Sequence, residues 1–146
     1  MQPKVIPPTP AEESPSQSHK YVLVVEDEQG MQNLVRVMLG RAGIDTVQCF
    51  NVESAVNVLR TQPLPELVLL DLMLPDVSGL ELLRQMRAKD FFDSVPIIIL
   101  SAIADPNKIR EALTLGADRY VIKTAISHSL IRAVQDVLKS GRRKTV

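Results

Sequence analysis

Four short apolar runs in this chain of 146 residues each end in side chains able to do chemistry. Tyr21–Val25 leads into Glu26-Asp27, Glu66–Leu70 into Asp71, Ile97–Leu100 into Ser101, and Tyr120–Ile122 into Lys123. Brought to one edge, three carboxylates repel, so some stay protonated or they share a cation. A hard divalent ion is the simpler arrangement. Mg2+, with Mn2+ as the alternative, suits Asp27, Asp71 and a backbone carbonyl just beyond Asp71, with Glu26 acting through a bound water. An Asp71 oxygen left free is then a nucleophile toward phosphorus. Charge on the phosphoryl oxygens calls for donors, and Lys123, Ser101 and nearby loop N–H groups supply them. Singly, each residue has a commoner explanation: Asp71 as a loop cap, Lys123 solvated, Ser101 satisfying a turn. Their conjunction is far less common.

Positioning these groups requires strands that end together. From Tyr21 onward, β-branched runs alternate with helical periodicity, and five βα units can be counted, the pattern of a parallel sheet. The first helix carries Met31, Leu34, Val35, Met38 and Leu39 as an apolar stripe. The second strand spans 45–50. Its helix has Asn51 as cap, Val52, Ala55, Val56 and Leu59 on one face, and Pro63 as a barrier to continuation. Ser78-Gly79-Leu80-Glu81 reads as a capping box, with Leu80, Leu83 and Met86 facing inward. The fourth helix opens with Asp105 and Pro106, but its stripe of Ile109, Ala112 and Leu113 is thin, so it is expected to be the least firmly docked. A last strand over 118–122 precedes a helix that packs Leu130, Val134, Val137 and Leu138 and stops at Gly141. The expected fold is α/β: a doubly wound, five-stranded parallel sheet of flavodoxin-like (βα)5 type, with ligands bound beyond the strands' carboxyl ends.

The bulk composition narrows the function further. A chain of this length buries about 70% of its unfolded surface and folds without disulfides or metals. Lys+Arg and Asp+Glu are both 17, which gives no compositional case for nucleic acid or an anionic membrane. Cys49 is the lone cysteine and reads as a small core residue; His19 and His128 have no metal-ligand spacing. No apolar run approaches the ~18 residues of a membrane span, so a reducing cytoplasm is the expected location. Residues 1–19, rich in Pro and Ser, are expected to form a disordered arm, residues 20–141 the folded domain, and residues 142–146 a basic tail that is solvated.

Val24-Val25-Glu26-Asp27-Glu28, Leu70 to Pro75, Leu100-Ser101-Ala102 and Gly116 to Lys123 resemble the receiver domain of bacterial two-component response regulators over residues 20–140. The motifs occur in order, 44 residues from Asp27 to Asp71, 30 more to Ser101 and 22 more to Lys123. The resemblance implies strand order 2-1-3-4-5 and phosphorelay signal transduction. Asp71 would take a phosphoryl group from a phosphohistidine on a sensor histidine kinase or a histidine phosphotransfer protein. It implies that Asp27, Asp71 and the Met73 carbonyl ligate Mg2+ with help from Glu26, that Ser101 and Lys123 hold the phosphoryl oxygens, and that Tyr120 is the aromatic switch residue. It also implies a switch whose only chemistry is its own phosphorylation and dephosphorylation. The output would be a downstream protein bound through the fourth helix, fifth strand and fifth helix, with homodimerisation on phosphorylation as an option.

Two departures from the family pattern stand out. Thr124 replaces the usual proline after the lysine, which removes a restraint on the loop that aims Lys123. Ser78 replaces the usual Asp or Asn and caps as well. Met73 and Ile103, two residues beyond Asp71 and Ser101, are apolar and are expected to hinder an attacking water and lengthen the phosphorylated lifetime. Three rivals remain open. A haloacid-dehalogenase-type phosphatase would need a second aspartate where Met73 stands. A flavin module would need a phosphate cradle where Glu26-Asp27-Glu28 repels one. A receiver that only binds partners is kept open by Thr124.

Overall fold

The computed structural model describes residues 20–142. Five strands, β1 (Val22–Val25), β2 (Thr46–Cys49), β3 (Leu67–Leu70), β4 (Ile97–Ser101) and β5 (Arg119–Ile122), run parallel in the order β2-β1-β3-β4-β5. They alternate with helices α1 (Gln29–Arg41), α2 (Val52–Thr61), α3 (Gly79–Arg87), α4 (Pro106–Leu115) and α5 (Ile126–Ser140). This is the flavodoxin-like architecture expected from the sequence.

Side chains alternate across each strand, so the sheet supports two cores. Leu23, Val25, Val68, Leu70, Ile97 and Ile99 face one way, against Val52, Ala55 and Leu59 of α2 and Leu82, Leu83 and Met86 of α3. Val22, Val24, Leu67, Leu69, Ile98 and Leu100 face the other way, against Val35 and Leu39 of α1 and Leu130, Val134 and Val137 of α5. Each fully buried aliphatic side chain stabilises the fold by about 1.5–3 kcal/mol relative to exposure. Register then fixes the site. Val25 lies opposite both Cys49 and Leu70, and Ser101 lies opposite Ile122, so Glu26, Asp71 and Lys123 all emerge one step past the ladder.

The helices start largely as their sequences dictate. Asn51 Oδ1 accepts the Ser54 N–H at 2.7 Å, and Asp105 Oδ1 accepts the Asn107 N–H at 2.9 Å. Only Ala112 of α4 is fully buried, in keeping with its thin stripe. Three details differ. In α1, Leu34 is 42% exposed while Gln32 is fully buried, because strand-end carbonyls give its carboxamide partners that outweigh the apolar stripe. In α3, Leu82 joins Leu83 and Met86 inside while Leu80 is only half-buried. The capping box there is one-sided: Ser78 Oγ accepts the Leu80 N–H at 3.2 Å, but the Glu81 carboxylate turns to Arg84 and Gln85. Gly79 lets α3 approach the end of β3, since a Cβ there would lie 2.1 Å from the Asp71 carbonyl oxygen.

Arg142, read from sequence as part of a solvated end, is held by the domain. Its Nε lies 3.1 Å from buried Asp118 Oδ1, and its Nη2 donates to the Gly116 carbonyl at 3.1 Å. Residues 1–19 and 143–146, including the proposed arm and the rest of the tail, lie outside the described residues.

Candidate functional site

The β1 end is built first from backbone. The Glu26 N–H donates to the Cys49 carbonyl at 3.0 Å, and the Asp71 N–H donates to the Val25 carbonyl at 3.0 Å, which locks the two acidic residues side by side. Gln32 reinforces the turn from within α1. Its Nε2 lies 3.1, 3.0 and 2.8 Å from the carbonyls of Val24, Glu26 and Cys49. No sequence signal marked Gln32, which looks like one more polar helical residue until the strand ends are placed beside it.

Glu26 and Asp71 are buried, Asp27 is exposed, and one carboxylate oxygen from each lies within 4.8 Å of the others. Lys123 Nζ sits between two of them, 2.8 Å from Asp71 Oδ2 and 2.7 Å from Glu26 Oε1. The Asp71 contact is a hydrogen bond; the Glu26 contact is close but off-line, so Oε1 has an ion pair without a hydrogen bond. Burial pushes the Glu26 carboxyl above its ordinary range, against the pull of Lys123 and of the Glu28 N–H, which donates to Oε2 at 2.9 Å. Burial works against the Lys123 ammonium too, but its contacts with the Asp71 and Glu26 carboxylates outweigh that and leave its pKa raised.

The remaining groups lie on the adjoining strands and loops. The Met73 N–H donates to Asp71 Oδ1 at 3.1 Å while its side chain is 62% exposed. Ser101 is fully buried, and its Oγ accepts the Ile103 N–H at 3.2 Å. The Tyr120 hydroxyl donates to the Ile103 carbonyl at 2.7 Å, so both peptide groups flanking Ile103 Cα are held by residues singled out from sequence. Burial raises the Tyr120 phenol, with Ser101 opposing. Cys49 lies buried in β2 with its thiol pushed up by burial, and His128 is exposed on α5.

The donor set fits a hard divalent cation. It is all oxygen, it crowds three carboxylates against one ammonium, and it includes a buried oxygen without a hydrogen bond. Chemically, the edge offers a buried carboxylate paired with a cation, with the Ser101 hydroxyl at the end of β4, and a carboxylate so placed is able to act as a nucleophile. Among the described residues no helix is long and apolar enough to cross a membrane.

Comparison with known proteins agrees with this geometry. The family described as the response regulator receiver domain matches residues 22–135. The phosphate regulon transcriptional regulatory protein PhoB of Pseudomonas aeruginosa is 32% identical over 120 residues, covering 82% of this chain and 52% of that protein. The chain thus spans about half the length of the regulators it matches. Among solved structures, the BeF3-activated N-terminal receiver domain of Klebsiella pneumoniae RstA is 28% identical with a TM-score of 0.76, covering 83% of this chain and all of that one. The Thermotoga maritima response regulator TrrA, solved in complex with Mg2+-BeF, is 28% identical with a TM-score of 0.71, covering 82% of this chain and 99% of that one.

Proposed function

Because this chain belongs to the response regulator receiver domain family, we propose that it is a phosphorylation-dependent switch with Asp71 as acceptor. In that reaction an Asp71 carboxylate oxygen forms a bond to phosphorus while the P–N bond to a phosphohistidine breaks. The imidazole leaves with the electron pair, and the product is an acyl phosphate. The donor is a sensor histidine kinase or a histidine phosphotransfer protein. Lys123, now paired with Asp71 and Glu26, follows the growing charge onto a phosphoryl oxygen, and Ser101 donates its hydroxyl to another. Glu26, Asp27, Asp71 and the Met73 carbonyl would hold Mg2+ or Mn2+. When bound, that ion supplies positive charge against the carboxylates and the phosphoryl group.

The switch follows from the same bonds. Once Ser101 turns to a phosphoryl oxygen, the Ile103 N–H loses its acceptor, and the β4–α4 loop that Tyr120 also holds is free to move. α4, with only Ala112 fully buried, yields most readily. The changed α4–β5–α5 face then selects a downstream protein or a second copy of the chain, because a bound partner shifts an equilibrium only by its differential affinity. This reading places the protein in the cytoplasm as a phosphorelay component that does not turn over external substrate. The boundaries 20–141 for the receiver belong to the same proposal.

The observation that carries the reading is the Lys123 ammonium seated 2.8 Å from Asp71 at an oxygen-rich sheet edge. Incubation with Mg2+ and acetyl phosphate, read by intact mass, is expected to add one phosphoryl group to the wild type and none to Asp71→Asn. An unmodified wild-type chain would leave only a binding module.

A further inference from the structure

The loop joining β3 to α3 is fixed at both ends by local hydrogen bonds. The Met73 N–H donates to Asp71 Oδ1, the Gly79 N–H donates to the Leu72 carbonyl at 3.0 Å, and Ser78 Oγ reaches the same carbonyl at 3.5 Å. Between these anchors, residues 74–77 meet the rest of the fold through the half-buried Leu74 side chain and the Asp76 carboxylate. Asp76 Oδ1 accepts the Val52 N–H at 3.1 Å, and Oδ2 accepts the Glu53 N–H at 3.0 Å.

Val52 and Glu53 open α2. A helix leaves its first four N–H groups without intrahelical partners beyond its own cap. Here Asn51 Oδ1 serves Ser54, Asp76 serves Val52 and Glu53, and the first intrahelical bond runs from the Ala55 N–H to the Asn51 carbonyl. A carboxylate from a different βα unit thus completes the N-terminus of α2, where the helix dipole also favours negative charge. The Val52 and Glu53 N–H groups hold the Asp76 carboxyl below its ordinary range, Val52 contributing most.

Resting on the reading that the Asp71 loop supplies metal donors, we infer that Asp76 is a positioning residue. By clamping the middle of the β3–α3 loop to the start of α2, it fixes the Met73 carbonyl relative to Asp71 and so sets the divalent-metal affinity of the unmodified chain. A carbonyl on a loose loop must lose backbone freedom when it ligates; one on a clamped loop has lost it already. The coupling is reciprocal, so a bound metal must tighten the clamp in turn.

Calorimetric titration of Mg2+ into the unphosphorylated full chain tests this, using wild type, Asp76→Ala, Asp76→Asn and Asn51→Ala. Asp76 is exposed, so its variants leave both cores intact. Asp76→Ala is expected to weaken Mg2+ binding about tenfold, the lower end for residues that support metal ligands. Asp76→Asn keeps one acceptor oxygen and should fall between. Asn51→Ala strips a cap from the same helix but spares the clamp, so it should bind as wild type does. Mg2+ should also slow hydrogen exchange of the Val52 and Glu53 amides in wild type and not in Asp76→Ala. Equal affinity in wild type and Asp76→Ala, or an equal loss in Asn51→Ala, overturns the inference alone. Absence of Mg2+ binding in every protein, wild type included, overturns the metal reading of the site and this inference with it.

Discussion

Lys123 is one cation facing two buried carboxylates, and its aim does not depend on a proline after it. Thr124 lies exposed in a single 3-10 turn, Lys123–Ala125, that runs directly into α5, yet the ammonium still reaches Glu26 and Asp71. The raised Glu26 carboxyl means that its charged form costs the folded chain stability at neutral pH, because that state binds the proton more tightly than the unfolded one. Burial is the main source of that cost, and a cation held beside the carboxylate would offset it. Met73 and Ile103 act at the same scale. Met73 is open to solvent, and Ile103 is partly buried beside Ser101. Met73→Asn and Ile103→Glu each offer a hydrogen bond to an attacking water, and such a bond is expected to shorten the phosphorylated lifetime roughly tenfold, equivalent to about 1.4 kcal/mol. Decay followed by intact mass provides the check, and unaltered rates would reject the role.

At the scale of elements, α4 buries little along its length and is held mainly at its two ends. Its C-terminal turn ends at Gly116, whose carbonyl accepts from Arg87 Nε at 3.0 Å and Arg142 Nη2 at 3.1 Å. Gly116 has φ +117, and a side chain there would run into Arg87. The other end follows Ile103, which Ser101 and Tyr120 hold by two hydrogen bonds. Tyr120→Phe should remove one of them and cost about 0.5–1.5 kcal/mol at neutral pH. Because the Tyr120 pKa is raised on folding, its contribution is present below the ordinary value of about 10 and is lost as pH rises through the folded value. Urea unfolding across alkaline pH should therefore show a shallower fall for Tyr120→Phe than for wild type; identical slopes would contradict this. The weakness of α4 was legible in its stripe. The orientation of α1 was not, because the partners of Gln32 are carbonyls on β1, its turn and β2.

Over the whole molecule, the reactive edge has a counterpart at the opposite end of the sheet. Asp118 is fully buried between Arg87 Nη2 at 3.1 Å and Arg142 Nε at 3.1 Å, and its Oδ2 also accepts the Ile97 N–H at 2.9 Å. This network joins the end of α3, the start of β4, the α4–β5 turn and the chain beyond α5. Removing one guanidinium leaves Asp118 with its other partners, so Arg142→Ala is expected to cost about 1–3 kcal/mol. That loss should lower the urea midpoint without changing the slope; an unmoved midpoint would show that Arg142 contributes nothing.

The sequence by itself determined the alternation of five strands and helices and the residue types at the strand ends, while the order of the strands followed from the family resemblance. Those features are written in local periodicity, punctuation and spacing. Only the tertiary structure decided that Lys123 bridges Glu26 and Asp71, that Gln32 turns inward, that Asp76 completes a helix 23 and 24 residues away, and that Arg142 closes onto Asp118. Each of these is a polar contact between distant segments. Its geometry is fixed by how parallel register and helix packing bring backbone ends together, and no periodicity in one segment records the partner supplied by another.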